Sequence, residues 1–473
     1  MSRTFSISIY TLGCRLNQVE SEAVSSAFLN AGFTLASKGS VPDIFVINTC
    51  TVTSKSEQKA RRVIRKAASE NPDSLVIVTG CYAQLNAPDI EKLGSNILVI
   101  GQAEKSRLLE FPAFIQETDA KCGAGLKEYL QFRLGKSPMI TTKFDFLPDT
   151  FSFHTRASLK VQDGCNNFCA YCRIPFARGR SESMDFDRAV ETAVAIEKNG
   201  YKELVLTGVN ITAYESGGRR LRQLIEAILE RTSDIRIRLS SLGPYDDLDN
   251  FAFFISQKRI CPHFHLSVQS GSDNVLAAMG RKYPAGRLKE ITDILKASGR
   301  DPFISGDVIT GFPGESDQDF EDSYNLIRDC GFAMCHVFPY SPRPETRAYR
   351  MKNRVPERIS RQRAERLGSL ADQLYMAYIA RQKGRREQVI IEESVVLDGK
   401  KYYAGLSSNY LKVLIESQSP LKAGTLCDVE LSYRPLPPGG AATGSGSAHP
   451  LDLSFQHQPV FGTLARCRCP ASR

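Results

Sequence analysis

The sequence predicts an α/β protein: an N-terminal domain built on an open parallel sheet, a central partial (β/α)6 barrel and a small all-β module at the C-terminal side. Three observations predict it. Through about residue 110, short apolar runs alternate with helix-length patterns, as where crossover helices join parallel strands. From Ala157 a second series of about six strand–helix units follows. Past Arg386 the pattern changes to short alternating apolar runs separated by turns. The expected organisation is residues 1–118 as the first domain, 119–150 as a linker, 151–380 as the barrel core, 384–434 as the β module and 435–473 as a disordered tail.

In the first domain three apolar runs each end in a cysteine: Ile7-Ser8-Ile9-Tyr10-Thr11-Leu12-Gly13-Cys14, Ile44-Phe45-Val46-Ile47-Asn48-Thr49-Cys50 and Leu75-Val76-Ile77-Val78-Thr79-Gly80-Cys81. Helical patterns over 17–31 and 54–70 lie between them, closed by Gly32 and by Asn71-Pro72. Open parallel sheets collect ligands outside the carboxyl ends of their strands. One crevice would therefore gather all three thiols. A single Cys suits a small buried residue, but three at three strand ends point to a three-cysteine cluster. Ile97-Leu98-Val99-Ile100 reads as a fourth strand and 102–110 as a helix. Residues 111–153 show no clean period except from Leu126 to Leu134, and read as a linker.

The central segment opens on a strand from Ser158 to Val161. It then reaches Cys165-Asn166-Asn167-Phe168-Cys169-Ala170-Tyr171-Cys172, a C-x3-C-x2-C run. Three thiolates this close bind three corners of a cubane iron–sulfur cluster and leave the fourth iron without a protein ligand. An open position on a redox metal is where a substrate or cofactor binds. A structural zinc site is normally closed by a fourth ligand, so a zinc knuckle lacking its His is the competing reading. Strand and helix patterns then alternate over 188–198, 203–207, 219–232, 236–239, 264–268, 286–299, 303–309, 317–329 and 334–338, supplying the barrel. His263 and His265 flank Phe264 on one strand face and suit core or pocket lining, while Cys330 and Cys335 suit the core.

A helical stretch across 354–386 has an apolar face (Ile359, Leu367, Leu370, Ala371, Leu374, Tyr378) and a basic one. Strands follow at 389–393, 401–405, 411–415 and 426–431, with turns at Asp398-Gly399 and Lys422-Ala423-Gly424. Pro437-Pro438-Gly439-Gly440 and Gly444-Ser445-Gly446-Ser447 mark the rest as a tail, in which Cys467 and Cys469 read as exposed thiols. Cys122, Cys261 and Cys427 join no spacing pattern.

Over 473 residues, 42% hydrophobic and 24% charged residues suit a folded protein of two to four domains. No apolar run approaches the ~20 residues that span a bilayer, and residues 1–6 run into a strand without a charged-then-apolar leader. No membrane association and a cytoplasmic location are expected. Thirteen cysteines in such a chain argue for metal binding in a reducing compartment and against a disulfide framework. The net charge of +9 concentrates at Arg61-Arg62, Arg65-Lys66, Arg178-Gly179-Arg180 and 354–386, where clustered cations neutralise RNA phosphates or simply face solvent.

Thr11-Leu12-Gly13-Cys14-Arg15-Leu16-Asn17-Gln18-Val19-Glu20-Ser21-Glu22, with Asn48-Thr49-Cys50-Thr51-Val52-Thr53 and Gly80-Cys81-Tyr82, resembles the N-terminal domain of the radical S-adenosylmethionine (SAM) methylthiotransferases. Gln162-Asp163-Gly164-Cys165-Asn166-Asn167-Phe168-Cys169, Arg173-Ile174-Pro175-Phe176-Ala177-Arg178-Gly179, His265-Leu266-Ser267-Val268-Gln269-Ser270-Gly271-Ser272 and Asp307-Val308-Ile309-Thr310-Gly311-Phe312-Pro313-Gly314-Glu315 extend the resemblance to about Ala380. The first two cysteine motifs look most like the branch acting on threonylcarbamoyladenosine in tRNA.

The resemblance implies that Cys165, Cys169 and Cys172 hold a 4Fe–4S cluster whose open iron chelates SAM and reduces it to a 5′-deoxyadenosyl radical. It implies a second 4Fe–4S cluster on Cys14, Cys50 and Cys81 that delivers sulfur. Tyr171 and Phe168 would wall the cluster loop, and Gly208, Asn210, Ser241, Gln269, Asp307 and Ile309 would surround SAM at strand ends, although each singly also suits an ordinary turn or strand position. Gly243 stands where the family more usually has an acidic residue. The implied reaction converts N6-threonylcarbamoyladenosine next to the anticodon to its 2-methylthio derivative. A purine C2–H is beyond acid–base chemistry, which is why a cofactor radical is needed, and an anticodon-loop base can be splayed out for recognition. The implied partners are tRNA, a flavodoxin- or ferredoxin-like electron donor and a sulfur donor, and a monomer is expected. The module past Arg386 is similar to the TRAM RNA-binding domains that end these enzymes. The alternatives are an isopentenyladenosine or ribosomal-protein aspartate methylthiotransferase and, from another class, a non-catalytic iron–sulfur RNA-binding sensor.

Overall fold

A computed structural model describes residues 5–37, 39–119, 123–139, 141–148, 151, 154–397, 399–433, 443–444 and 460–468 of the chain. They form two compact units, one made of Met1–Ser152, Lys160–Met184 and Ser341–Tyr349, the other of Phe153–Leu159, Asp185–Tyr340 and Arg350–Arg473. The expected α/β architecture with a terminal all-β module is the observed one.

The first unit is a parallel sheet of β1 (Ser6–Thr11), β2 (Thr34–Leu35), β3 (Ile44–Thr49), β4 (Leu75–Gly80) and β5 (Ile97–Ile100), in the order β2-β1-β3-β4-β5. Its strands β3, β4 and β5 are apolar over most of their length because helices cover both faces. Ile7, Ile9, Leu75 and Ile77 pack with α1 (Arg15–Asn30), α4 (Phe111–Gln116) and α5 (Gly123–Lys136). Ile47, Val76 and Val78 pack with α2 (Ser54–Glu70) and α3 (Cys81–Glu91). The stretch expected as a linker therefore differs. Its Leu126 and Leu130, one helical turn apart, put α5 into this core together with Phe146.

The second unit begins with β6 (Ala157–Lys160). After it, β7 (Gln162–Asp163) and β8 (Glu182–Ser183) pair antiparallel within the first unit, enclosing the cysteine loop and α6 (Ile174–Arg178). In the second unit α7 (Phe186–Lys198), β9 (Glu203–Thr207), a hairpin of β10 (Glu215–Ser216) and β11 (Arg219–Arg220), α8 (Leu221–Arg231), β12 (Arg236–Leu239), α9 (Leu248–Ser256) and β13 (His263–Gln269) follow. Next come α10 (Asp273–Met279), α11 (Gly286–Ala297), β14 (Phe303–Thr310), α12 (Asp317–Cys330) and β15 (Met334–Pro339). The sheets run β12-β9-β6 and β13-β14-β15, and parallel bridges Ile237↔Ile260 and Leu242↔Leu266 sit between β12 and β13. Six parallel strands in that order are the expected open barrel.

α13 (Glu357–Gln382) follows the barrel and buries Leu367, Leu370, Tyr375 and Tyr378, with Arg358, Arg361 and Arg366 on its exposed side. The last part holds β16 (Arg386–Leu397), β17 (Lys400–Ser407), β18 (Lys412–Glu416), β19 (Leu426–Ser432), β20 (Thr443–Gly444) and β21 (Val460–Arg468). β16 pairs with both β17 and β19, and β21 bridges β18 and β19, so five strands close into a ring. This corrects the disordered tail for 460–468: Val460-Phe461-Gly462-Thr463-Leu464 alternates like a strand, and Val460 enters the module's core. Cys122 and Cys469 lie outside the described residues.

The module and the barrel share one core, in which Phe303, Tyr375, Tyr378 and Ile379 meet Val389, Ile391, Val413 and Val429. A buried ionic joint adds to it. Glu203, fully buried, accepts from Arg236 Nε at 2.7 Å and from Arg238 Nε at 2.7 Å and Nη2 at 2.9 Å. The two guanidiniums also donate to the carbonyls of Gln388 and Leu406 (2.8 and 3.2 Å) and of Ser408 and Ser407 (3.1 and 3.0 Å). The joint lies at the amino ends of β9 and β12, away from their carboxyl ends.

Candidate active site

Cys14, Cys50 and Cys81 follow β1, β3 and β4, which are neighbours in one parallel sheet, so they sit side by side at its carboxyl edge. The turns carrying them are crowded. Gly13 has φ +102°, and a Cβ there would come 2.6 Å from Cys50 Cβ and 2.9 Å from its sulfur. Gly80 has φ +97° and abuts the Thr49 backbone. Only glycine takes both the conformation and the contact. Asn17 Nδ2 staples two of the turns, donating to Leu12 O at 2.7 Å and Thr49 O at 3.0 Å. Cys14 is exposed, whereas Cys50 and Cys81 are buried. Burial pushes the Cys50 thiol up to about 12 against a backbone hydrogen bond from Val52, and the neighbouring Cys81 and Cys14 sulfurs push the same way. Burial also raises Cys81.

Cys165, Cys169 and Cys172 occupy the loop between β7 and α6. Gly164, at φ +72°, faces the carbonyls of Gly179 and Arg180 so closely that no Cβ fits. Gln162 ties the loop's base, donating to Gly164 O at 2.7 Å and Ser181 Oγ at 3.0 Å. Backbone N–H groups point at two sulfurs, Asn167 N to Cys165 at 3.5 Å and Ile174 N to Cys172 at 3.4 Å. Phe168 holds φ +47° and packs edge-on against Phe176 at 5.8 Å, both rings about half exposed, and Tyr171 is partly buried beside them. The segment Ser341–Tyr349 closes over the loop through Ala348 N to Ala170 O at 2.8 Å.

Two polar clusters join the loops that carry the cysteines. In one, Arg178 contacts Glu20, Asp163 and Asn17, while Lys105 and Lys160 pair with Glu20. In the other, Glu57 accepts from Arg173 Nη1 at 3.2 Å, from Arg343 and from Thr51. Arg343 also donates to Thr51 Oγ1 and Ser54 Oγ at 3.0 Å. Arg173 follows Cys172 directly and Thr51 follows Cys50.

In the second unit, Gly208 and Asn210 follow β9, Ser241 follows β12, Gln269 ends β13, and Asp307 and Ile309 lie in the carboxyl half of β14. All six stand at the same ends of consecutive strands. Gln269 has φ +68°, a strained conformation for a non-glycine residue. Thr207 Oγ1 and Ser240 Oγ, at the ends of adjacent β9 and β12, are buried with no hydrogen-bond partner among the described residues. Asp307 Oδ2 lies 3.1 Å from His265 Nε2, whose Nδ1 lies 3.0 Å from Ser305 Oγ, and His336 completes a trio with ligand atoms within 4.8 Å. Gly243, the departure from the family pattern, donates to Thr212 Oγ1 at 2.8 Å, and a Cβ there would come 2.4 Å from the Tyr245 ring. His263 is buried and stacks on Tyr410 at 3.9 Å, a core role. Cys261, Cys330, Cys335 and Cys427 are buried in the core.

The chain matches the family model of the radical SAM superfamily over residues 159–327 and that of the uncharacterized protein family UPF0004 over residues 6–101. It is 38% identical over 462 residues to the threonylcarbamoyladenosine tRNA methylthiotransferase MtaB of Treponema pallidum (strain Nichols), covering 87% of this chain and 94% of that protein. The chain belongs to the radical-SAM methylthiotransferases. Another member, MtaB of Bacillus subtilis (strain 168), is 34% identical over 415 residues, covering 87% and 90%. The tRNA-2-methylthio-N(6)-dimethylallyladenosine synthase of Zymomonas mobilis is 31% identical over 434 residues, covering 90% and 93%.

Radical-SAM methylthiotransferases use SAM and 4Fe–4S clusters, and the residues here fit both. Each cysteine set offers three thiols. Three thiols with no fourth protein ligand are the donor set of a cubane that keeps one iron open, whereas a structural zinc site is closed by a fourth ligand. The unpartnered hydroxyls of Thr207 and Ser240 fit a polar ligand at the strand ends.

Sequence reading missed Glu20, Lys105, Lys160, Asp163 and Arg178. Glu20, Asp163 and Arg178 stand inside the cysteine-flanking motifs that resemble the family, the one available signal. Arg178 was expected among surface cations for RNA. Instead it is buried, paired with Glu20 and Asp163, while Arg180 stays exposed.

Proposed function

We propose that this chain converts N6-threonylcarbamoyladenosine next to the anticodon of tRNA to 2-methylthio-N6-threonylcarbamoyladenosine. The observation that carries the two-cluster chemistry is the second cysteine trio, gathered at three adjacent strand ends in the same unit as the C-x3-C-x2-C loop. The substrate follows the MtaB relatives, whose names carry threonylcarbamoyladenosine. When bound, the clusters and SAM supply the one-electron chemistry that breaks an unactivated C–H bond, and the sulfur.

Cys165, Cys169 and Cys172 hold the SAM-binding cluster, and the N–H donors of Asn167 and Ile174 stabilise the charge on its sulfurs. Cys14, Cys50 and Cys81 hold the second cluster. Exposed Cys14 marks the side from which sulfur reaches it. Gly208 lets backbone approach SAM, and Asn210, Ser241 and Gln269 offer hydrogen bonds to its polar groups. Ile309 would pack on adenine, Asp307 fixes the His265 ring, and Tyr171 would wall the cluster loop. The expected domains are the cluster-binding first domain, the SAM core and an RNA-binding β module. tRNA binds through the module and exposed cations of α13 such as Arg358. No helix among the described residues is long and apolar enough to cross a membrane. A cytoplasmic monomer served by a flavodoxin- or ferredoxin-like electron donor and a separate sulfur donor completes the reading.

The test uses purified, anaerobically reconstituted enzyme with SAM, sulfide and a chemical reductant. Nucleoside mass analysis should find the 2-methylthio product in tRNA carrying threonylcarbamoyladenosine and none in the same tRNA lacking it. Product on an isopentenyladenosine tRNA or a ribosomal-protein peptide instead would overturn the substrate.

A further inference from the structure

Five charged side chains form one buried network between the two cysteine sets. Lys105 donates to Glu20, and to Asn48 Oδ1 at 2.9 Å. Lys160 Nζ lies 3.1 Å from Glu20 Oε1 and 3.2 Å from Asp163 Oδ2. Arg178 Nη1 lies 3.1 Å from Glu20 Oε1 and 2.9 Å from Asp163 Oδ1, and Nη2 donates to Asn17 Oδ1 at 2.7 Å. Each charged side chain is at most 6% exposed. Three of the five are cations (Lys105, Lys160, Arg178) and two are anions (Glu20, Asp163), so the joined group carries one positive charge in excess.

An uncompensated buried charge is strongly unfavourable. The network reaches the second cysteine set through the turns that carry it: Asn17, bound by Arg178, donates to Leu12 O at 2.7 Å and Thr49 O at 3.0 Å, and Lys105 reaches Asn48 Oδ1, two residues before Cys50, at 2.9 Å. The same guanidinium grips Asp163, two residues before Cys165, and Asn17 and Glu20, on the helix that follows Cys14. A fork contacting two carboxylates and an amide at once is within reach of Arg but not of Lys.

We propose that Arg178 is a positioning residue serving both cysteine sets, and that its charge sets the electron affinity of the cluster on Cys14, Cys50 and Cys81. This rests on the two-cluster reading above. Reduction adds one negative charge to a cluster, and net charge and hydrogen bonds at the sulfurs govern its potential. The excess cation beside these turns favours the reduced, more anionic form. Removing Arg178's charge brings the network to neutrality, whereas removing Glu20's doubles the excess.

The experiment is an EPR-monitored redox titration of anaerobically reconstituted full-length protein in which Cys165, Cys169 and Cys172 are replaced by Ala, leaving the second cluster as the sole signal. Arg178→Gln should move its midpoint to more negative potential and Glu20→Gln to more positive potential. Arg178→Lys should keep the midpoint closer to the parent than Arg178→Gln does. Glu20→Gln preserves size and the guanidinium, so the test survives if Arg178→Gln fails to fold by circular dichroism. Opposite shifts are outside what a merely structural role produces, because loss of packing lowers cluster content in both variants alike. Midpoints unchanged, or moved in the same direction, would overturn the proposal. A parent protein with no cluster signal would overturn the two-cluster reading and the proposal with it.

Discussion

Glu203→Gln should destabilise the barrel and the β module together. The substitution keeps the size of the side chain but leaves Arg236 and Arg238 buried opposite a neutral amide, after losing a carboxylate that accepts from them at 2.7, 2.7 and 2.9 Å. Breaking a buried pair by removing one partner costs roughly 3–5 kcal/mol. Both guanidiniums keep their bonds to the carbonyls of Gln388, Leu406, Ser407 and Ser408, so the lower end, about 3 kcal/mol, is the expected cost. For a unit of this size that is a fall in melting temperature of roughly 5 °C. The dependence on pH has a definite sign. Burial pushes the Glu203 carboxyl up, but Arg238 and Arg236 outweigh it and hold the group well below the usual carboxylate range. A depressed folded value gives stability that is fully present above the unfolded pKa of about 4.3 and is lost as pH falls through the depressed one. The difference between parent and variant should thus stay constant from neutral pH to about pH 5.5 and narrow only in stronger acid. Thermal unfolding by circular dichroism, with limited proteolysis to follow release of the module, measures both. A variant melting within about 2 °C of the parent at neutral pH would refute the view that this joint holds the module on the barrel.

Replacing Cys14, Cys50 and Cys81 together by Ala should halve the iron bound after reconstitution and leave 5′-deoxyadenosine formation measurable, as iron analysis and chromatography would show; unchanged iron would rule out the second cluster. Cys169→Ala should abolish 5′-deoxyadenosine, and residual SAM cleavage in this variant would falsify the assignment of the loop. Gly164→Ala forces a Cβ against the Gly179 and Arg180 carbonyls at φ +72°, a strain of roughly 1–3 kcal/mol. It should lower iron at the C-x3-C-x2-C set while sparing the other, read by EPR in single-set variants.

What the sequence made legible was whatever repeats locally. Strands ending in Gly-Cys or Thr-Cys announce both a parallel sheet and the edge where its ligands gather, so Cys14, Cys50 and Cys81 could be placed before any coordinates. The C-x3-C-x2-C loop is local by nature. The charge network was illegible because its members come from four separate places in the chain, and a lone Lys160 or Asp163 looks like any polar residue in a strand. Arg178 misled for a related reason: beside Arg180 it resembles a surface cation, and only the fold turns one inward and leaves the other out. The strand at Val460–Arg468 was hidden by its surroundings, a Gly-, Ser- and Pro-rich run that masks a short alternating segment. The α5 helix was half visible as Leu126 and Leu130, but nothing local says that such a pair reaches a distant core.

Because β21 seats between β18 and β19, parallel to the first and antiparallel to the second, the module's ring stays open until residue 468 has been synthesised. On the ribosome, β18 and β19 would wait with unpaired edges while the barrel behind them is already able to form. The interval matters for a protein that needs metal clusters. Cysteine loops near the start of the chain can be filled while translation continues, but the surface expected to meet RNA is completed last. An unfinished chain would then be poorly equipped to engage its substrate, whatever the state of its cofactors. Premature stop codons anywhere before that strand should yield aggregation-prone, RNA-blind products rather than partially active ones.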